Sequence, residues 1–401
     1  MIITFNDIKY NLDRNNKTAV VIGYQNEPVD VRIPEYVEYE NKKYKVTKIG
    51  FYAFSTCQSL TSITIPDSVT HIEKCAFFSC SSLTSITIPD SVTEIGNAVF
   101  KFCYSLTSVT IPDSVTSIGD VAFYYCKNLQ SVTIGNSVSK IGDDAFYSCK
   151  NLTSVTIPDS VTEIGNSAFT YCDSLTSVTI GNSVTKIGDD AFYSCKNLTS
   201  VTMGNSVTEI GRNAFYSCIN LTSVTIGNSV TKIGDWAFWY CSSLTSITIP
   251  NSVTEIGNGV FYYCSSLTSI TIPDSVTNIG KCALYRIGLT LPKRYTEDGK
   301  LIAYKAFNND MTCRKFQYEE GKSYEIKCKI ECCVYGFHAC TNPLDVFNYY
   351  CGQIGKDIVI HEVYLSGTID DNSYDSKVCA SKIEIGKRLT MKDINDIINC
   401  K

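Results

Sequence analysis

Leu83-Thr-Ser-Ile-Thr-Ile-Pro-Asp-Ser-Val-Thr-Glu-Ile-Gly-Asn-Ala-Val-Phe-Lys-Phe-Cys103-Tyr-Ser105 is one turn of a repeat around which most of the 401-residue chain is organised. Ten cysteines stand 23 residues apart without a slip, at Cys57, Cys80, Cys103, Cys126, Cys149, Cys172, Cys195, Cys218, Cys241 and Cys264. Leucine keeps the same register from Leu60 to Leu267, phenylalanine from Phe54 to Phe261 and isoleucine from Ile49 to Ile279. A fixed period of this length predicts a solenoid. No coil buries its apolar edge alone, so neighbours stack into one continuous core. Within the unit, Leu83, Ile86 and Ile88 read as a strand with Thr and Ser between them. Pro89-Asp90, or Gly135-Asn136 in another copy, makes the turn that follows. Val92 and Ile95 form a second short extended piece, and the Ala-Phe-x-x-Cys segment closes the coil with its ring inward.

The pattern Leu-x-x-Ile-x-Ile-Pro-x-x-Val-x-x-Ile-Gly-x-x-Ala-Phe-x-x-Cys resembles the BspA-like leucine-rich repeats over residues 46–289. Val31-Arg-Ile-Pro34 through Tyr44-Lys-Val-Thr-Lys-Ile-Gly50 matches the same unit with about nine residues inserted after the turn, and looks like that family's cap and divergent first coil. The last coil decays, with Leu284 at the phenylalanine position and Ile287 at the cysteine position. The expected fold is therefore an α/β solenoid, a leucine-rich repeat stack of short parallel strands with an N-terminal β cap and a small C-terminal α/β domain. Its expected division is a cap and divergent first coil over 1–45, the solenoid over 46–289, a linker over 290–299 and the α/β domain over 300–401. About eleven coils at ~4.8 Å each would extend roughly 50 Å. The resemblance implies protein binding or adhesion, since family members include surface proteins of gut and oral bacteria and of parasitic protists.

Composition narrows the partners. A net charge of −5 provides no electrostatic footprint for nucleic acid or for an anionic membrane. No stretch approaches the ~18 apolar residues of a spanning helix, so membrane insertion is not expected. Met1–Tyr10 lacks a basic segment followed by an apolar run, which sets the expectation of a cytoplasmic protein over a surface one. In a reducing compartment the ladder cysteines, among 20 in the chain, read as buried thiols that act as small hydrophobes with a weak S–H donor.

Three columns of the repeat face outward. Ser62 to Ser269 and Thr64 to Thr271 make an uncharged hydroxyl face without the Trp, Tyr or Arg anchors of protein hot spots. Glu94, Ser117, Lys140, Glu163, Lys186, Glu209, Lys232 and Glu255 alternate in sign from Lys140 onward, a pattern that locks register across coils. The position after the buried phenylalanine reads Phe78, Lys101, Tyr124, Tyr147, Thr170, Tyr193, Tyr216, Trp239, Tyr262, and the next one adds Phe102, Tyr125, Tyr171, Tyr240 and Tyr263. Rows of this kind either pack against the adjacent coil or form an aromatic ledge for a protein or, alternatively, a glycan. The expected binding residues are Tyr124, Tyr147, Tyr193, Tyr216, Trp239, Tyr240 and Tyr262.

After Leu289 the composition changes. Leu301–Phe307, Tyr324–Ile330, Ile358–Leu365 and Lys377–Ile385 read as strands, the segment after Asn342-Pro343 as a capped helix and Thr390–Ile398 as a terminal helix. Tyr304-Lys-Ala-Phe307, Gly321–Glu325, Gly336–Asp345 and Lys377–Leu389 resemble an uncharacterised domain of phage and gut-bacterial proteins. Two chemistries fit parts of this region. Cys328, Cys332, His338 and Cys340, with Cys333 and Cys351 nearby, offer soft ligands for zinc, the alternative being a set of buried thiols. The layout also loosely resembles ADP-ribosyltransferases. There Lys305 would stand for the early Arg or His, His338-Ala-Cys-Thr341 for the Ser-Thr-Ser strand, and Glu362 or Glu384 for the catalytic acid. No phosphate-binding glycine loop or metalloprotease motif occurs, and no cofactor is expected. The expected function is a protein–protein interaction or scaffold protein. The alternatives are an enzyme positioned by the repeats, with Lys305, His338 and Glu362 as its candidate catalytic residues, and a cell-surface adhesin.

Overall fold

The computed structural model describes residues 1–289, 291–327, 337–349, 352–353, 357–371 and 376–398. It divides into two compact units, Met1–Gly227 and Asn228–Lys401. In both, the repeats wind as a β-solenoid of stacked parallel-strand turns.

The first unit opens with three antiparallel strands, Ile2–Phe5, Ile8–Asp13 and Thr18–Tyr24. Asn6 and Asp7 both take left-handed backbone (φ 49° and 59°), which matches the twist of a two-residue hairpin. Ile8, Tyr10 and Leu12 point to the core while Asn11 and Asp13 face water. Thr18–Tyr24 then runs parallel to Lys42–Ile49, whose end pairs in parallel with His71–Ile72 of the first full coil. The inserted residues fold as a second hairpin, Tyr36–Tyr39 against Lys42–Ile49, through Glu40 and Asn41 at φ 51° and 58°.

Each coil then contributes to two parallel ladders. Ser154–Ile157 pairs with Ser177–Ile180, and Glu163–Ile164 with Lys186–Ile187, every partner lying 23 residues away. Along the first ladder Val155 and Ile157 are buried while Ser154 and Thr156 are exposed, the period-2 alternation of a strand with one wet face. The third side of the coil is a run of turns. Val121, Phe123 and Tyr125 donate their N–H groups to Asp143, Ala145 and Tyr147 of the next coil, while Tyr124 and Cys126 bond three residues back. Val121 and Tyr125 adopt left-handed φ (50° and 61°) to alternate these directions, and the equivalent residues of other coils do the same.

Two inner columns hold the coils together. Phe54 to Phe215 stack face to face at 5.1–5.5 Å and are fully buried. The ladder cysteines are free and buried, and each thiol from Cys80 to Cys218 donates to the phenylalanine carbonyl 26 residues earlier, as from Cys172 to Phe146 at 3.3 Å. They are thus weak donors as well as small hydrophobes. The glycine after each isoleucine has a steric reason. A Cβ at Gly165 would stand 2.6 Å from the backbone nitrogen of Asp143 and the carbonyl carbon of Gly142.

The second unit carries the last repeats, with Lys232–Ile233, Glu255–Ile256 and Asn278–Ile279 in one ladder and Ser246–Thr248 with Ser269–Thr271 in the other. Leu284 fills the phenylalanine seat and is fully buried. Next comes an antiparallel sheet in which Leu301–Asn308 and Lys377–Leu389 each pair with Ile358–Asp370, and Phe337–Cys340 bridges the same two strands. Leu301, Phe307, Val363, Leu365, Ile383 and Ile385 form its core. The two helices among the described residues are the 3-10 turn Pro343–Asn348, capped by Asn342, and the α-helix Met391–Ile398, capped by Thr390 and Asp393. This domain covers the open edge of the last coil. Gly352–Gln353 pairs antiparallel with Asn278–Ile279, Cys282 N–H donates to the Phe347 carbonyl at 3.1 Å, and Asn395 exchanges two hydrogen bonds with the backbone of Ile272. An unpaired parallel edge would invite another chain, and this one is occupied.

Candidate functional site

Two places carry chemistry beyond packing: the aromatic rows beside the buried phenylalanines, and a cavity in the C-terminal domain.

In the first unit Tyr124 stacks on Tyr147 at 4.8 Å and Tyr193 on Tyr216 at 4.7 Å. Thr170 interrupts the column, and its buried hydroxyl donates to the Asp190 carbonyl. Tyr171 from the neighbouring position fills the gap edge-on, 5.5 Å from Tyr147 and 5.6 Å from Tyr193. The left-handed backbone of Tyr125 and Tyr171 turns these second-position rings back onto the column. The column is half-buried, and the rings consume one another's faces. Burial, reinforced by Tyr124, Tyr171 and Tyr125, pushes the Tyr147 hydroxyl up to about 12. Burial also raises the carboxyls of Asp144 and Asp190, which flank the row. Lys101 lies over Tyr124 at 4.5 Å, and Lys127 over Tyr104 at 5.0 Å and Tyr125 at 5.5 Å.

In the second unit Trp239 stacks on Tyr262 at 4.2 Å, and Tyr262 leans on Tyr285 at 4.9 Å. Trp236 meets Trp239 edge-on at 6.2 Å. Gly259 makes room for Trp236: a Cβ there would fall 2.5 Å from the indole Cδ1. Tyr240 is 46% exposed, the most open of the expected binding residues. Sequence reasoning passed over Trp236 and Tyr285, although Tyr285 continues the same 23-residue column.

The other columns are structural. Lys140–Glu163 and Lys232–Glu255 form ion pairs at 3.3 and 3.9 Å, all four side chains about half exposed. A ladder that the sequence analysis did not single out runs beside them. Asn97, Asp120, Asp143, Asn166 and Asp189 each accept the N–H of the equivalent residue one coil on. The nearly unbroken Asn/Asp identity of that column was its available signal.

The cavity encloses about 390 Å³. Lys305, on the central strand, reaches it with its side chain and donates from Nζ to the His338 carbonyl at 2.8 Å. Desolvation holds this ammonium below the ordinary lysine value, against the pull of Cys313 and Cys340. The hairpin Thr312–Cys313 and Phe316–Gln317 turns through Arg314 and Lys315 at positive φ (49° and 67°), placing Arg314 and Phe316 on the cavity wall. Phe316, Tyr318 and Tyr324 make an edge-packed cluster with centroids 4.7–5.4 Å apart. Burial pushes the Tyr318 hydroxyl up to about 12.

The structure thus brings Lys305, His338 and Cys340 to one cavity. Glu362 is not on its wall and instead accepts a hydrogen bond from the Tyr364 hydroxyl at 2.9 Å, while Glu384 pairs with Lys300 at 3.0 Å. Of the zinc candidates, Cys328 and Cys332, like Cys333 and Cys351, lie outside the described residues. No group of three potential metal ligands occurs among the described residues. No helix among the described residues is long and apolar enough to cross a membrane.

The BspA type leucine rich repeat region matches residues 47–176 and 162–290, and the chain belongs to that family. A domain of unknown function (DUF7666) matches residues 301–397. Among solved structures, the chain is 32% identical to a leucine rich cell surface protein of Faecalibacterium prausnitzii, over 71% of this chain and 92% of that one, with a TM-score of 0.42. It is 30% identical to a leucine-rich repeat protein of Bacteroides ovatus, again over 71% and 92%, with a TM-score of 0.39. No curated protein matches the chain.

Proposed function

We propose that the protein is an interaction scaffold whose aromatic rows are its docking edges for a protein partner. The observation that carries this reading is the pre-stacked tyrosine and tryptophan column, half-exposed on repeats whose other outward positions are hydroxyls and paired charges. Stacked rings lose little entropy on binding, and Tyr and Trp dominate protein hot spots. A protein fits better than a glycan, because sugars stack on open ring faces and most of these faces are already covered. The C-terminal domain, taken as the separate module that starts near residue 300, would be a second contact surface. A reducing, cytoplasmic setting accords with the free thiols of the described cysteines.

The test uses the full chain as bait in lysate of the source cell, with quantitative mass spectrometry of what it retains. W239A/Y240A, Y147A/Y193A or both should lose at least tenfold of a protein that the wild type retains, while keeping their circular dichroism. Unchanged retention by both variants would refute the docking edge. Fractionation of the native protein would decide between the cytoplasm and the surface location of an adhesin.

A further inference from the structure

The C-terminal cavity contains a buried cation that no carboxylate of the described residues pairs with. Lys305 is 6% exposed, and its ammonium donates to the uncharged carbonyl of His338, with the neutral thiol of Cys313 beside it. Among the described residues no carboxylate comes within 4.0 Å of its ammonium. Glu325, on the same wall, is already paired with Lys382 at 3.4 Å. A buried ammonium without a counter-charge is costly and gives up its proton more readily, and an anion beside it offsets part of that cost. Arg314 and Lys377 add two more cations to the wall, so among the described residues the lining carries three cationic side chains and one acid. The rest of the wall is largely aromatic, and the volume of about 390 Å³ falls within the range of small-molecule sites.

We propose that this cavity binds a small planar aromatic carboxylate. Its carboxylate supplies a counter-charge at Lys305, with Arg314 and Lys377 drawing it in, and its ring packs among Phe316, Tyr318 and Tyr324. A single carboxylate matches a single buried ammonium, and flat apolar walls match a ring. A phosphate group is a poorer fit, because its two charges call for several buried donors and of the three cations only Lys305 is buried. The proposal is independent of the aromatic rows of the repeats, so either can fail without the other.

The test titrates the full-length protein with benzoate, indole-3-carboxylate and 2-naphthoate, and with their primary amides, by calorimetry and ligand-observed NMR. At least one carboxylate should bind saturably, with its amide tenfold or more weaker. Lys305→Met keeps the apolar stem and removes the charge, and it should abolish the preference for carboxylate over amide. Arg314→Gln lies on an exposed hairpin tip, outside the core, and should weaken carboxylate binding several-fold. Failure of all three carboxylates to bind, or equal binding of acids and amides, would overturn the proposal. So would wild-type affinity in both variants. If Lys305→Met does not fold, unchanged affinity in Arg314→Gln is sufficient to overturn it.

Discussion

Substituting alanine for Gly165 sets two physical effects against each other with opposite signs. Gly165 does not have positive φ, so alanine is free to adopt its backbone conformation. On entropy alone the change should stabilise the fold by ~0.4–1 kcal/mol, because the unfolded chain loses freedom. The packing predicts the reverse. The new methyl would stand 2.6 Å from both the nitrogen of Asp143 and the carbonyl carbon of Gly142, and neither of these backbone atoms can rotate away. Relief requires the two coils to part locally by most of an ångström. That movement stretches the Gly165 N–H bond to the Ile141 carbonyl, now 2.9 Å, and the Asn166 N–H bond to Asp143 Oδ1, now 2.7 Å. Two weakened hydrogen bonds cost about 1 kcal/mol each, and overpacking costs a further ~1–3 kcal/mol. The net expectation is a loss of about 2–4 kcal/mol. Urea unfolding of the full chain followed by circular dichroism measures it, and hydrogen exchange should show faster opening at residues 141–166. An unchanged or raised midpoint would refute the close-approach account of this glycine column.

Phe169→Ala removes a fully buried ring stacked at 5.1 Å on Phe146 and 5.3 Å on Phe192, and should cost about 3–5 kcal/mol by the same assay. A negligible shift would mean that the ring column is not the core. Lys186→Glu places a third carboxylate beside Glu163 and Glu209 on an exposed ladder. It should cost no more than about 1 kcal/mol at low salt and less in 0.5 M NaCl, and a large, salt-independent loss would contradict the exposure of that column. The thiol ladder sets a pH limit. Burial raises the thiols of Cys149 and Cys195 well above their ordinary value and that of Cys218 to about 12. A raised acid is neutral in the fold and ionises first in the unfolded chain. Its stabilisation is therefore complete below the unfolded thiol value of ~8.5 and is lost as pH rises, at up to about 1.4 kcal/mol per pH unit for each thiol. Melting temperature should fall steeply between pH 9 and 11, and a flat profile would be inconsistent with buried thiols.

The solenoid was legible because each of its contacts repeats. A phenylalanine or cysteine recurring every 23 residues meets its own copy, so period alone reveals the stacking partner. The insertion between Pro34 and Tyr44 was visible as length, and the structure resolves it into a hairpin turned by Glu40 and Asn41. The β cap was expected from the family pattern, but its three opening strands were not placed, although Ile8, Tyr10 and Leu12 alternate with polar residues. The Asn/Asp ladder was not singled out, because polar identity without apolar period gives no strand signal. In the C-terminal domain the strands Leu301–Asn308, Ile358–Asp370 and Lys377–Leu389 were recognisable from their apolar runs. Which side chains meet in its cavity was not, since Lys305, Arg314, Tyr324 and His338 come from separate segments whose register no local pattern encodes.

The alternating charges also bear on how such a gene can change length. Ser131–Leu152 and Ser177–Leu198 differ only at Ser139 and Thr185, and they lie two coils apart. Cutting out one coil would leave each buried ring, thiol and glycine facing an equivalent neighbour, but would bring Lys140 beside Lys186. Cutting out two coils would restore lysine against glutamate. Gain or loss of repeats in pairs, in steps of 46 residues, therefore keeps the charge alternation, whereas a single-coil change puts like charges together at a cost of no more than about 1 kcal/mol.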